Sequence, residues 1–287
     1  MSGDESVNFL PDLVGSMSTG AAGNPTVAVM EAAFAHHSLH WRYVNMEVPP
    51  AALEAAVMGA RAMGFRGFNC SMPHKRAVIP YLDHLSTNAK LSGAVNCVVR
   101  GDDGRLTGNN TDGIGFLRGL RTLLDPRGTN VVVLGAGGAA RAIAVELALA
   151  GATRITVCNR TLSSAADLAQ VIGDATPTIA SAVQLGDGYR IPEGTDVVVN
   201  ATSVGLYEPD ARVPIDLATI ADHHVVADVV FNPVDTGLLR ASAERGARTI
   251  NGLAMLVHQA AEAVRIWTGV DPDFDVMEST LRQAMGV

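Results

Sequence analysis

Apolar residues in the second half of the chain fall into short β-branched runs that alternate with stretches of helical periodicity. Runs without polar interruption are typical of strands that are buried on both faces, as in a parallel sheet covered by helices. This half therefore predicts a doubly wound α/β unit. The predicted strands are Val131–Leu134, Ile155–Cys158, Val197–Asn200 and Val225–Val230, and the predicted helices are Ala139–Ala150, Ser163–Val171 and Thr236–Arg245.

The first half alternates in the same way and predicts a second α/β unit. Leu117–Leu124 predicts a helix that leads into the later unit, and Leu253–Trp267 predicts a long helix that leaves it and packs back on the first. The expected division is residues 1–111 plus 253–287 for one domain and 112–252 for the other. The elements predicted in the first half are strands at Asn8–Val14, Trp41–Met46 and Gly67–Cys70 and helices at Thr26–Ala35 and Ala51–Met63.

Composition and charge narrow the class of protein. The 21 basic and 29 acidic residues give a net charge of −8 without a basic run, which argues against a nucleic-acid partner. Polar residues interrupt every apolar stretch before it reaches bilayer-spanning length. Cys70, Cys97 and Cys158 form no CxxC pair, so we expect neither a disulfide framework nor a metal site. We expect all three to be buried, free thiols. We expect a cytoplasmic protein without a membrane partner, as a monomer or a homodimer.

A glycine-rich turn follows the predicted strand Val131–Leu134 and opens the next helix. It reads Gly135-Ala136-Gly137-Gly138-Ala139-Ala140, a G-x-G-x-x-A pattern. Such glycines allow a pyrophosphate to approach the backbone at the helix N-terminus, although they also serve packing alone. The strand–turn–helix context favours a dinucleotide.

The next predicted strand ends in Asn159-Arg160-Thr161, without the acid that binds the ribose hydroxyls in most NAD-specific proteins. An arginine beside short polar side chains can bind a 2′-phosphate instead. We therefore expect NADP rather than NAD, the alternative being that Arg160 is merely a solvated residue.

Polar segments in the first domain and at the start of the last predicted helix lie at strand ends or helix starts, where ligands bind in α/β domains. Singly, each has an ordinary explanation: Lys75 as a solvated lysine, Asp112 as a helix N-terminal acid, Asn96 as a turn residue and Gln259 as a surface amide.

Together, eight motifs in order resemble the shikimate/quinate dehydrogenase family. Five carry the clearest likeness: Asn69–Lys75 resembles N-V-T-x-P-x-K, Gly93–Val98 resembles G-A-V-N-T-V, Gly108–Gly113 resembles G-x-N-T-D-G, Asn159–Thr161 matches N-R-T, and Asn200–Gly205 resembles N-A-T-x-x-G. The turn Gly135–Ala140 and the segments Asp228–Pro233 and Asn251–Gln259 are similar to the remaining three.

The resemblance implies a substrate domain followed by a Rossmann-type NADP domain, with hydride transfer between NADP and a ring hydroxyl or ketone of shikimate or a similar cyclic hydroxy acid. It implies Lys75 and Asp112 as the catalytic pair. The implied substrate-binding residues are Ser16, Ser18, Asn24, Ser71, Asn96 and Gln259. The implied cofactor-binding residues are Gly135, Ala136, Gly137, Gly138, Ala139, Asn159, Arg160, Thr161, Ala201, Thr202, Ser203, Val204, Val230, Gly252 and Met255.

The segment between Gly15 and Pro25 departs from the family pattern H-S-x-S-P, whose serines bind the substrate carboxylate. Ala22 and Asn24 occupy the serine positions if Pro25 is the family proline, whereas Ser16 and Ser18 replace them if the spacing slips. Phe231 also stands where many members have a tyrosine. Each lost hydrogen bond to a buried anion costs about 1–3 kcal/mol.

These departures leave the substrate open. Quinate or an aminated analogue fits as well as shikimate, and an idle NADP-binding sensor on the same fold is the alternative from another class. The intact Lys75 and Asp112 favour the enzyme, because a protein that only binds nucleotide has no need of both.

Overall fold

Two six-stranded sheets organise the chain in a computed structural model that describes residues 9–208 and 211–287. The strands are β1 (Asp12–Ser18), β2 (Trp41–Glu47), β3 (Gly67–Cys70), β4 (His84–Leu85), β5 (Cys97–Arg100), β6 (Leu106–Asn109), β7 (Asn130–Leu134), β8 (Arg154–Asn159), β9 (Ile179–Gln184), β10 (Val197–Asn200), β11 (Val225–Asp228) and β12 (Arg248–Ile250). The helices are α1 (Thr26–His36), α2 (Leu53–Ala62), α3 (His74–Ala77), α4 (Thr87–Ser92), α5 (Thr111–Arg121), α6 (Gly138–Leu149), α7 (Leu162–Ala175), α8 (Gly237–Ala243), α9 (Gly252–Thr268) and α10 (Phe274–Met285).

The second sheet is wholly parallel, with strand order β12-β11-β10-β7-β8-β9. This is the doubly wound order of dinucleotide-binding folds, in which ligands bind where the order reverses beside the first strand. The valine-rich β7 and β10 pair at the centre and are buried on both faces, which explains their uninterrupted apolar sequences. The predicted Rossmann-type unit is confirmed.

The first sheet has the order β2-β1-β3-β5-β6-β4 and is mixed, because β5 runs antiparallel to both β3 and β6. The predicted return of the chain to this unit is confirmed: α9 and α10 pack with α1, and Leu253, Val257 and Met277 join Val14 and Phe34 in one buried cluster.

The first predicted strand was misplaced. Asn8 lies outside the described residues, and β1 continues to Ser18 instead of ending at Val14. Gly15 is required inside the strand, because a Cβ on it would lie 2.3 Å from Val44 O on β2. Ser16 and Ser18 are therefore buried strand residues.

The predicted helix at Leu117–Leu124 also begins earlier, at Thr111. Asn110 caps it by accepting a hydrogen bond from Asp112 N at 3.0 Å. Gly113 and Gly115 weaken the helical signal in the sequence, but they allow close packing: a Cβ on Gly113 would lie 2.3 Å from Ala142 O. The helix thereby packs against both α6 and α9 and joins the two sheets.

Candidate active site

A cavity of about 360 Å³ opens at the carboxyl ends of β1 and β3 and is closed on one side by α9. Phe231, from the loop after β11, also lines it. All eight residues predicted to be catalytic or substrate-binding line this one cavity: Lys75, Asp112, Ser16, Ser18, Asn24, Ser71, Asn96 and Gln259. The structure therefore brings together residues that are up to 243 positions apart, as Ser16 and Gln259 are.

Lys75 and Asp112 form an ion pair at the cavity wall. Lys75 Nζ donates to Asp112 Oδ2 at 2.6 Å, and the side chains are 30% and 12% exposed. The short helix α3 that carries Lys75 is held by a hydrogen bond from Val95 N to Lys75 O at 2.7 Å. An ammonium group in this position can donate a hydrogen bond or a proton to a substrate oxygen.

Asn96 fixes the orientation of the Asp112 carboxylate. Its Nδ2 donates to Asp112 Oδ1 at 2.8 Å, while its Oδ1 accepts from Thr111 N at 2.7 Å. Gln259 Oε1 lies 3.4 Å from the same Nδ2. Because both carboxylate oxygens of Asp112 are engaged, its side chain is held in one rotamer against Lys75.

The loop after β1 is tied to β2 by side chains. Ser16 Oγ donates to Asn45 Oδ1 at 2.9 Å, and Asn45 Nδ2 donates to the carbonyl oxygens of Ala21 and Asn24 at 3.1 and 3.0 Å. Two arrangements were predicted for the serine positions: Ala22 with Asn24, or Ser16 with Ser18. Ser16, Ser18 and Asn24 all line the cavity, whereas Ala22 is exposed and does not line it.

Three residues on β2 that were not predicted belong to this region: Tyr43, Asn45 and Glu47. Tyr43 lines the cavity and donates from its hydroxyl to Asn69 Oδ1 at 2.9 Å, and burial raises the pKa of this hydroxyl well above its usual range. The three are alternate residues on one strand and so share a face. Polar residues at every second position of a predicted strand, together with an aromatic residue, are the sequence signal that would have identified these three.

The thiol of Cys70 lines the cavity and stays protonated. Burial raises its pKa to about 12, with the nearby charge of Lys75 acting in the opposite direction. Burial likewise raises the pKa of Cys97 and Cys158. The prediction that the three cysteines are buried side chains is confirmed.

The glycine-rich turn has the geometry of a phosphate-binding turn. Gly135 has φ of +108°, and a Cβ there would lie 2.8 Å from Ala201 O, so glycine is required. Gly137 and Gly138, at the start of α6, have open space where a Cβ would stand. A phosphate can therefore reach the backbone amides at this helix N-terminus, and the residues present fit NADP.

Arg160 is exposed just beyond the end of β8, and no ion pair joins it to an acid within residues 9–208 and 211–287. Asn159 Nδ2 donates to Thr161 O at 3.0 Å and shapes the turn around it. A guanidinium in this setting is available to a 2′-phosphate.

A buried network supports the loop after β10, which holds the predicted cofactor residues Ala201, Thr202, Ser203 and Val204. Asn200 Nδ2 donates to Asp228 Oδ1 at 2.9 Å, Thr236 Oγ1 donates to Asp228 Oδ2 at 2.7 Å, and burial raises the pKa of Asp228.

The start of α9, which carries the predicted cofactor residues Gly252 and Met255, is held close to Val230. A Cβ on Gly252 would lie 2.4 Å from Val230 O, so this approach requires a glycine. Within the described parts of the chain, no group of three His, Cys, Asp or Glu side chains could hold a metal, and no helix is long and apolar enough to cross a membrane.

Comparisons with known proteins identify what the chain is similar to. Family models match residues 25–98 (shikimate dehydrogenase substrate binding domain), 121–207 (shikimate / quinate 5-dehydrogenase) and 252–282 (shikimate 5'-dehydrogenase C-terminal domain). A shikimate dehydrogenase (NADP(+)) from Moorella thermoacetica is 43% identical, over 89% of this chain and 87% of the relative.

Two solved structures bear on the cavity. The ligand-free 5-ketofructose reductase of Gluconobacter sp. strain CHM43 has a TM-score of 0.94 and 48% identity, covering 96% of this chain and 99% of the other. The shikimate 5-dehydrogenase of Thermus thermophilus, in complex with NADP(H) and shikimate, has a TM-score of 0.83 and 34% identity, covering 95% and 99%.

Proposed function

Because the chain belongs to the shikimate/quinate dehydrogenase family and is an NADP-dependent oxidoreductase, we propose that it acts on a ring hydroxyl or ketone of shikimate or a shikimate-like cyclic compound. In the reducing direction, the ketone of 3-dehydroshikimate becomes a secondary alcohol. The observation that carries this proposal is the 2.6 Å contact between Lys75 Nζ and Asp112 Oδ2 inside the cavity.

The residues have distinct parts in this reaction. When bound, NADPH supplies the hydride that the ketone carbon accepts. Negative charge then develops on the ketone oxygen, which Lys75 Nζ stabilises by a hydrogen bond and protonates. Asp112 orients the ammonium group, and Asn96 holds the Asp112 carboxylate. We assign Asn96 and Gln259 to the ring hydroxyls of the substrate.

We assign the two halves of the reaction to the two parts of the chain. Residues 1–111 with 253–287 bind the substrate, and residues 112–252 bind NADP through the turn at Gly135–Ala139, the Arg160 site and the loop at Ala201–Val204. The open backbone at Gly137 and the exposed guanidinium of Arg160 support this assignment.

A neutral keto sugar of the 5-ketofructose kind is a second candidate substrate. Phe231 brings no hydroxyl to the cavity, and Asn24 Nδ2 already donates to Ser16 Oγ at 3.4 Å. The end of the cavity near the loop after β1 therefore offers few donors to a carboxylate. The similarity to 5-ketofructose reductase, at 48% identity, points the same way.

Turnover with a panel of substrates tests the proposal. Purified protein with NADP(H) is assayed against shikimate, 3-dehydroshikimate, quinate, an aminated analogue and 5-ketofructose, by nicotinamide absorbance. We expect Lys75→Ala to lower kcat about 10²- to 10⁴-fold, the usual contribution of a positioned proton donor. Its affinity for NADP should not change.

Lys90→Ala is the matched control, because Lys90 is exposed on α4 and does not line the cavity. NADP binding without turnover of any ring compound or keto sugar would contradict the proposal and favour the idle NADP-binding protein.

We infer a cytoplasmic location, supported by three cysteines that are buried and free rather than arranged in pairs. Whether the protein is a monomer or a homodimer stays a prediction, which light scattering of the purified chain would test.

A further inference from the structure

Two backbone amides of the loop after β1 are held by a side chain from β2. Gly20 N donates to Glu47 Oε1 at 2.8 Å, and Ala21 N donates to Glu47 Oε2 at 2.7 Å. Gly20 has φ of 74° and ψ of 30°, in the left-handed region. Successive amides in a turn of this kind form a concavity that binds anions. Here the anion is a carboxylate of the protein itself.

The charges of the described residues around the cavity leave no free cation for an anionic substrate. Among those that line it, Lys75 is the one cation and Asp112 the one acid, and they pair at 2.6 Å. Glu47 adds a negative charge bonded to Gly20, which itself lines the cavity. A ligand carboxylate in the cavity would therefore be repelled by Glu47 without a free cation on these lining residues to offset the repulsion.

The neighbouring polar groups are also engaged within the protein. Ser16 Oγ donates its proton to Asn45 Oδ1 at 2.9 Å, and Asn24 Nδ2 lies 3.4 Å from the same Oγ. The other hydroxyls that line the cavity include those of Ser18 and Ser71. A hydroxyl both donates and accepts, so it suits a hydroxyl of a ligand at least as well as a carboxylate, which only accepts.

We propose that Glu47 is a specificity-determining residue that excludes anionic substrates, so that the cavity takes a neutral polyhydroxylated ketone or alcohol. The inference rests on the proposed function in one respect, that this cavity is the substrate site; of the substrates proposed for it, the inference selects the neutral keto sugar over shikimate and 3-dehydroshikimate, which carry a carboxylate. It goes further by naming the substrate class and the residue that selects it.

The test uses two ligands that share a ring and differ by one charge: shikimate and its methyl ester. Each is titrated calorimetrically into the full-length protein saturated with NADPH, which cannot oxidise either ligand. We expect the wild-type protein to bind the ester more tightly than the acid. Glu47→Gln should tighten shikimate binding about five- to tenfold, the effect of removing one nearby charge at a protein surface. Binding of the ester should be unchanged.

Glu193→Gln is the matched control, because it removes the same charge from an exposed turn before β10 and should change neither affinity. Equal wild-type affinities for acid and ester would overturn the proposal, as would the failure of both ligands to bind. A Glu47→Gln variant that shifts both affinities alike would also overturn it, since that is the signature of a merely structural role.

If Glu47→Gln does not fold, salt tests the wild-type protein instead. Raising the ionic strength from about 0.05 to 0.5 M screens the repulsion and should increase the affinity for shikimate relative to the ester. A constant ratio would overturn the proposal. Turnover is assayed separately. If the protein prefers the ester over the acid but reduces no ketone, the proposed function is contradicted and this inference still holds.

Discussion

Arg160 is the residue whose replacement should separate the two nicotinamide cofactors. Charge-assisted hydrogen bonds contribute about 1.5–3 kcal/mol, so Arg160→Ala should weaken NADP binding about 10- to 100-fold. NAD lacks the 2′-phosphate, and its affinity should not change. Fluorescence titration of the bound reduced cofactors measures both constants.

The control is Arg154→Ala, at the opposite end of β8, where the side chain is also exposed. Equal losses of NADP and NAD affinity in Arg160→Ala would refute the assignment of this residue to the 2′-phosphate.

Residues in short linear motifs were predictable from the sequence, and residues that act through the pairing of distant strands were not. Lys75 and Asp112 each stand in a motif with a fixed spacing, so both could be named before their contact was known. Glu47 stands in no motif, and its role depends on the register that places it beside Ser18. That register depends on long-range pairing, which no local pattern encodes.

The turn between β7 and α6 is the element in which cofactor affinity and stability can be separated. Gly137→Ala adds a methyl group to open space at φ of −75°, so the fold should be unaffected. The same methyl group should block the close approach of a phosphate and lower NADP affinity at least about tenfold. Chemical denaturation and NADP titration measure the two effects.

Gly135→Ala should behave differently, because its φ of +108° and the 2.8 Å approach to Ala201 O strain any side chain. We expect a loss of about 1–3 kcal/mol in the free energy of unfolding. Gly173→Ala on α7, where the added methyl group has open space, is a control that should be neutral or stabilising. Unchanged NADP affinity in Gly137→Ala would contradict the phosphate-binding role of this turn.

Strands with uninterrupted apolar runs were predicted closely: β10 has the predicted bounds, and β7 begins one residue before its predicted start. Two elements with glycine in them, β1 and α5, were misplaced. The start of α5 was missed because Gly113 and Gly115 resemble a loop in sequence, although each is needed for contact with another helix. Tertiary packing, rather than intrinsic propensity, decides those positions.

At the scale of the whole molecule, stability should depend on pH through His258, which stacks on Phe274 at the junction of α9 and α10. Burial, and then the charge of Arg118, lower its pKa from 6.5, while Glu278 acts in the opposite direction. The unfolded chain therefore binds the proton more readily. The stabilisation is fully present above about pH 6.5 and is lost as the pH falls through the folded pKa.

Urea denaturation between about pH 7.5 and pH 5.5 checks this sign. The free energy of unfolding should fall as the pH falls, and His258→Gln should flatten part of that slope. His224, whose pKa is also lowered chiefly by burial, contributes in the same direction. His40→Gln, an exposed histidine, is the control. A slope unchanged in His258→Gln would show that His258 does not contribute.

The doubly wound half and the return of the last helices could be predicted, because apolar strand runs and helical periodicity continue over long stretches of the sequence there. The mixed order of the first sheet could not, because β5 and β6 are four-residue strands whose direction is set by their partners. Leu106, for instance, is buried among residues from β3 and α2, which are far from it in sequence.

The return of α9 and α10 to the first sheet has a consequence for the order in which the molecule is completed during synthesis. The strands of the second sheet, residues 130–250, all leave the ribosome before Gln259 and Leu281, which line the cavity. A nascent chain can thus complete the unit assigned to the nucleotide while its substrate cavity still lacks one wall. The cavity is therefore the last part of the site to be completed, once α9 and α10 have been made.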